Sequence, residues 1–154
     1  MNNGEIIVIN GPNLGKLGTR QPDIYGSTTL QDIIDGMEKP CQSAGYSLSH
    51  FQSNHEGKII DYIEGLDPKI VKGGIINPGA LMMNGYALLD CLYAASMPFV
   101  EVHISNLYRR EEFRHKSIIS PACEGHVFSF GPYSYEVGLF GLLSILGTSG
   151  AATS

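Results

Sequence analysis

The sequence predicts an α/β domain in which helices cover both faces of a parallel sheet. Two observations carry this expectation. Short apolar runs alternate with longer stretches whose apolar residues recur at helical spacing, and polar clusters rich in asparagine follow three of those runs. Residues 6–9 are a β-branched run and form the first strand. Leu30, Ile33, Ile34 and Met37 then recur at i, i+3, i+4 and i+7 and mark one face of a helix, with Ser27, Thr28 or Thr29 available as its N-cap. Pro40 is expected to kink or end that helix early. Alternation over residues 46–52 gives a second strand, and Ile59, Ile60, Ile63 and Leu66 stripe a second helix. Residues 74–77 form a third strand ending at Pro78-Gly79, and a helix follows from about 84 to 96. A fourth strand over 99–104, a fifth near 126–130 and a closing helix over 137–146 complete the pattern.

Right-handed crossovers and short loops turn this order of elements into a flavodoxin-like three-layer sandwich. Its five-stranded parallel sheet has the order about 2-1-3-4-5. A single domain spans 1–147, and the tail at 148–154 has no apolar periodicity and is expected to be disordered. Of the 154 residues, 43% are hydrophobic but only 16% are charged, where about 25% is usual. So low a charge on a small domain implies either a surface that is mostly neutral polar or one partly covered by copies of the same chain. The formal charge of −5 disfavours nucleic acid and anionic membrane as partners. The sequence has no apolar run of about 18 residues and its first residues lack the pattern of a signal peptide, so a cytoplasmic protein is expected. Cys41, Cys91 and Cys123 form no CxxC pair, which argues against a disulfide framework and a zinc site and for reduced, mostly buried thiols.

Ligands of such a sheet bind beyond the carboxyl ends of its strands. Those ends carry Asn10-Gly11-Pro12-Asn13, Asn77-Pro78-Gly79 and the run from Glu101 to Asn106. The loop over 11–26 is long for a βα connection, yet contains neither glycine fingerprint of a phosphate cradle. It does place Arg20 five residues before Tyr25. A guanidinium beside a phenol favours phenolate and makes a tyrosine a usable base; an exposed tyrosine and a solvated arginine is the plainer alternative. On the fourth strand Glu101, His103 and Ser105 share one face, so the glutamate is able to fix the imidazole tautomer and leave the other nitrogen as a proton donor. A structural histidine is the alternative there. Asn13 and Asn77 are suited to holding a carbonyl oxygen or an ordered water, or to forming turns. In the mixed-charge cluster 109–115, Arg114 either reaches substrate oxygens or pairs locally with its acidic neighbours.

Taken together, these segments resemble the type II 3-dehydroquinate dehydratases. The stretches are Ile9-Asn-Gly-Pro-Asn-Leu, Leu17-Gly-Thr-Arg-Gln-Pro with Tyr25-Gly, Gln52-Ser-Asn-His-Glu-Gly, Ile76-Asn-Pro-Gly-Ala, and Glu101-Val-His-Ile-Ser-Asn followed by Arg110-Glu-Glu-Phe-Arg. They occur in family order over about residues 5–120. The resemblance implies a hydro-lyase that converts 3-dehydroquinate to 3-dehydroshikimate by anti elimination, serving the shikimate pathway of aromatic amino acid biosynthesis or quinate catabolism. It implies Tyr25 as base with Arg20, an enolate stabilised through a water held by Asn13, and His103 as acid oriented by Glu101. Substrate contacts are implied at Asn77, at Ile104 and Ser105 near the carboxylate, at Arg114, and at Asp90 supplied by a neighbouring subunit. No metal or cofactor is implied, and the implied assembly is a trimer grouped into a dodecamer. Met83 stands where the family carries a substrate-binding histidine, and Leu89 stands where it usually carries arginine. Gln21 replaces a glutamate of the lid, and the run from Phe128 to Tyr133 lacks the usual glycines. A methionine at the histidine position leaves two alternatives to the dehydratase: a relative acting on a related cyclic ketone, and a non-catalytic binding or structural homologue.

Overall fold

The computed structural model of the chain describes residues 2–19, 23 and 26–152. Five strands, β1 (Gly4–Asn10), β2 (Tyr46–Gln52), β3 (Val71–Asn77), β4 (Phe99–Val102) and β5 (Gly125–Val127), form one sheet in the order β2-β1-β3-β4-β5. All four pairings are parallel, so the expected flavodoxin-like sandwich is the observed one. Four α-helices flank it among the described residues: α1 (Leu30–Ser43), α2 (Glu56–Glu64), α3 (Tyr86–Ala94) and α4 (Ser134–Ala152). The last of these continues past Leu146, where the apolar pattern places its end. No helix among the described residues is long and apolar enough to cross a membrane.

Successive side chains of a strand face opposite ways, and the core divides accordingly. Ile6, Val8, Ile75, Val100 and Val102 face a layer that includes Ile33, Ile34 and Met37 of α1 and Leu139 and Leu142 of α4. Ile7, Ile9, Ile76 and Phe99 face Ile59 and Ile63 of α2 and Leu88 and Leu92 of α3. Being buried on both sides, β1 carries an unbroken apolar run at 6–9 and β3 an apolar pair at 75–76, not an alternation.

Thr29 is the N-cap of α1. Its hydroxyl accepts from the Asp32 N–H at 3.1 Å, while the Asp32 carboxylate accepts from the Thr29 N–H at 3.0 Å, closing a capping box. These bonds hold the Asp32 carboxyl below its usual range. Thr29→Ala should lower stability by about 1 kcal/mol, read as a lowered midpoint in urea unfolding with the slope unchanged.

Pro40 does not end α1 early; the helix carries it and runs on to Ser43. Proline there forfeits one backbone N–H, but Met37 and Cys41 on either side of it are fully buried. Their packing holds the last turn in place. The Ala44 N–H reaches the carbonyls of Pro40 and Cys41 at 3.2 Å, and the Gly45 N–H reaches Gln42 at 2.9 Å. Tertiary burial outweighs the local penalty.

At the carboxyl edge, β1 and β3 run into loops that touch backbone to backbone. The Gly11 N–H donates to the Asn77 carbonyl at 2.8 Å. A Cβ on Gly11 would lie 2.4 Å from the Pro78 carbonyl oxygen, so only glycine permits the approach. This contact sets the floor of the site.

Candidate active site

His103 follows directly on β4, and its N–H donates to the Val127 carbonyl of β5 at 2.9 Å. Its ring is buried, with Nε2 2.5 Å from Glu101 Oε2. The Glu101 carboxylate is fully buried and also accepts from Ser117 Oγ at 2.6 Å and Ser120 Oγ at 2.5 Å. Burial alone would raise its pKa. The His103 hydrogen bond, the charges of His103 and His126 and the Ser117 hydroxyl outweigh that penalty and hold the carboxyl below its usual range. Glu101 is therefore an ionised acceptor and His103 Nε2 the donor to it, which orients the imidazole as the two-residue spacing predicts.

His126 on β5 pairs in register with Glu101. Its Nε2 lies 3.5 Å from Glu101 Oε2, and its side chain is 26% exposed. Burial, then repulsion from His103, depresses its pKa, and attraction to Glu101 opposes both only in part. Donor atoms of Glu101, His103 and His126 lie within 4.8 Å of one another, the grouping among the described residues with the character of a metal site.

His103 opens onto a cavity beyond the strand ends. Asn13, Asn77, Ile104, Ser105 and Arg114 line it with His103, as do Met82, Leu107 and Arg110. Asn13 takes the left-handed conformation at φ 70°, which asparagine tolerates. Its N–H donates to Asn54 Oδ1 at 3.0 Å. Arg114 donates through Nε to Glu111 at 2.8 Å, so the local ion pair and the position at the cavity coexist. An adjoining cavity shares Ile104, Ser105, Arg110 and Arg114 and adds Asp23 and Arg109.

Not every residue singled out in the sequence gathers here. Met82, not Met83, is the residue of the 81–83 run that lines the cavity; Met83 caps the short turn Gly79–Met82. Asp90 is exposed on α3, apart from the residues that line either cavity. Arg20, Gln21 and Tyr25 lie outside the described residues. The three cysteines are free thiols, with Cys41 buried. Burial, then Glu38, pushes Cys41 up to about 11, and burial, then Glu101 and Glu124, pushes Cys123 up to about 12.

A buried polar chain beneath the cavity went unread in the sequence. Asn77 Nδ2 donates to Tyr135 Oη at 2.9 Å, and Tyr135 Oη donates to Asn10 Oδ1 at 2.5 Å. Asn10 Nδ2 in turn donates to His50 Nε2 at 3.1 Å. Asn77 Oδ1 accepts from the Gly79 N–H at 3.1 Å, which aims the amide. Tyr135 is fully buried, and that burial drives its phenol pKa far up despite the Asn77 bond. It is a fixed neutral donor rather than a base.

A parallel α/β sheet whose carboxyl edge presents a carboxylate-oriented imidazole to a polar cavity defines a protein equipped for proton transfer. Residues 4–143 match the dehydroquinase class II family, and the chain belongs to it. A protein of Caldicellulosiruptor bescii named 3-dehydroquinate dehydratase is 47% identical over 142 residues, covering 92% of this chain and 98% of that one. The 3-dehydroquinate dehydratase 1 of Agrobacterium fabrum is 49% identical over 140 residues, covering 91% and 96%. Among solved structures, the type II dehydroquinase of Butyrivibrio crossotus superposes with a TM-score of 0.86 at 40% identity, covering 90% of this chain and 97% of its own.

Proposed function

We propose that the chain dehydrates 3-dehydroquinate to 3-dehydroshikimate. The observation that carries the reading is the buried Glu101–His103 pair at 2.5 Å, with His103 lining the cavity at the sheet edge, in a member of the dehydroquinase class II family. Tyr25, as phenolate assisted by Arg20, removes a proton from the carbon next to the ring ketone. The resulting enolate is stabilised by a water held by Asn13. His103 then gives its proton to the hydroxyl on the neighbouring carbon, the C–O bond breaks, and water leaves from the opposite face. Glu101 keeps the imidazole aimed throughout. One C–H and one C–O bond break, a C=C bond forms, and no electrons leave the substrate, so the steps need no redox partner.

Ser105, the backbone around Ile104 and the Arg114 guanidinium suit the substrate carboxylate, and Asn77 suits a ring hydroxyl. Asp90, exposed on α3, reaches a site only by projecting into that of a neighbouring copy, which fits self-association into trimers and a dodecamer. Exposed Tyr86 and Tyr93 on that same helix support an interface there. A cytoplasmic place in the shikimate or quinate pathways belongs to the same reading.

The test is direct. The purified, assembled chain should generate the conjugated enone from 3-dehydroquinate, followed by ultraviolet absorbance, and Tyr25→Phe should lose turnover while retaining affinity. Absence of enone formation would sink the proposal. Met82 in the cavity wall and Met83 at the histidine position of the family favour one second reading. A buried substrate hydroxyl facing only methionine goes unpaired, at a cost of about 1–3 kcal/mol. Faster turnover of a cyclic ketone lacking that hydroxyl would identify that analogue class as the substrate. Binding without turnover of either would instead identify a non-catalytic homologue.

A further inference from the structure

We propose that Glu101, His103 and His126 form a site for a divalent ion of the zinc class, and that its occupancy disables His103 as the acid. One carboxylate and two imidazoles, with a fourth position left for water, are a ligand set suited to such an ion. Their donor atoms are already within 4.8 Å of one another.

The hydrogen bonds supply a second and independent reason. The ionised Glu101 only accepts, so the single hydroxyl hydrogen of Ser120 goes to Glu101 Oε1, at 2.5 Å. Ser120 Oγ then has only a lone pair to offer His126 Nδ1, 3.0 Å away. Nδ1 therefore carries the ring hydrogen, and in the neutral ring Nε2 presents its lone pair. Nε2 lies 3.5 Å from Glu101 Oε2. A metal ion between the two atoms would take a lone pair from each and displace any proton held there.

Small movements complete the site. With metal–ligand bonds of about 2.0–2.2 Å, tetrahedral donors stand about 3.3–3.6 Å apart. The 2.5 Å contact between His103 and Glu101 opens, while His126 Nε2, 3.5 Å from Glu101 Oε2, already stands at that spacing. His126 is also the ligand with 26% of its side chain at the surface, which gives the ion its way in. The ion takes the place of the proton on His103 Nε2, that proton passes to solvent, and the metal-bound ring could give up its Nδ1 hydrogen only by becoming an imidazolate, a far weaker acid than the imidazolium. Ser117 and Ser120 hold the carboxylate from behind. Only the inhibitory half of the proposal rests on the dehydratase reading.

The chelator-treated full chain is titrated with Co²⁺ and with Zn²⁺. Visible absorption of tetrahedral Co²⁺ should appear and be displaced by Zn²⁺, and His126→Gln and His126→Asn, folded by circular dichroism, should weaken binding at least about tenfold. In the enone assay Zn²⁺ should inhibit the natural chain, and His126→Gln, measured against its own metal-free rate, should lose that sensitivity. No Co²⁺ band, or a band equally strong in both variants, overturns the site; a protonated His126 would account for such a result. A chain that shows no turnover but gives a His126-dependent band overturns the dehydratase reading and upholds the metal site.

Discussion

His103→Ala should lower kcat by about a hundredfold to ten-thousandfold, the range a positioned general acid contributes, with a much smaller change in KM. The ring lies at the end of β4, where it touches Glu101 and the cavity, so its loss removes the proton donor without opening the apolar layers. Glu101→Gln should act on the same step less severely. The amide keeps an acceptor for one serine hydroxyl, but loses the charge that holds His103 Nε2–H and presents an N–H where another donor sits. Steady-state kinetics beside circular dichroism separate the two variants from a folding defect. Full activity in His103→Ala would remove the imidazole from the mechanism.

Tyr135→Phe should cost about 1–3 kcal/mol of stability, because it orphans both a buried donor on Asn77 and a buried acceptor on Asn10. The ring itself stays, so the loss reports the hydroxyl rather than a cavity. Activity should fall as well, through KM more than kcat, since Asn77 lines the cavity and takes its aim partly from Tyr135. Urea unfolding and substrate saturation measure the two effects. An unchanged midpoint would show that water serves those amides equally well.

The contrast between these two predictions reflects what sequence makes visible. Glu101 and His103 stand two residues apart on one strand, and strand alternation puts them on one face without knowledge of anything else. The alternation of β2, the helical stripes of α1 and α2 and the run in β1 are local in the same sense. Asn10, Asn77 and Tyr135 come from β1, β3 and α4, and nothing within any one segment announces that they meet. His126 becomes legible only through topology: the strand order sets β5 beside β4, and the register then pairs it with Glu101. Ser117 and Ser120 come from the irregular connection between those strands and carried no periodic signal. Pro40 departs from its local expectation because Met37 and Cys41 beside it are buried, which no helix propensity contains.

The Glu101 carboxylate receives His103, Ser117 and Ser120 and faces His126. Groups that share one acceptor do not contribute independently: the loss of one frees capacity that the others take up, and the loss of two exceeds or falls short of the sum. Positions 103, 117, 120 and 126 are thus coupled in the mutational sense. A change at either serine alters how much a change at His126 costs, so the order in which substitutions arrive at this corner of the sheet determines which of them survive.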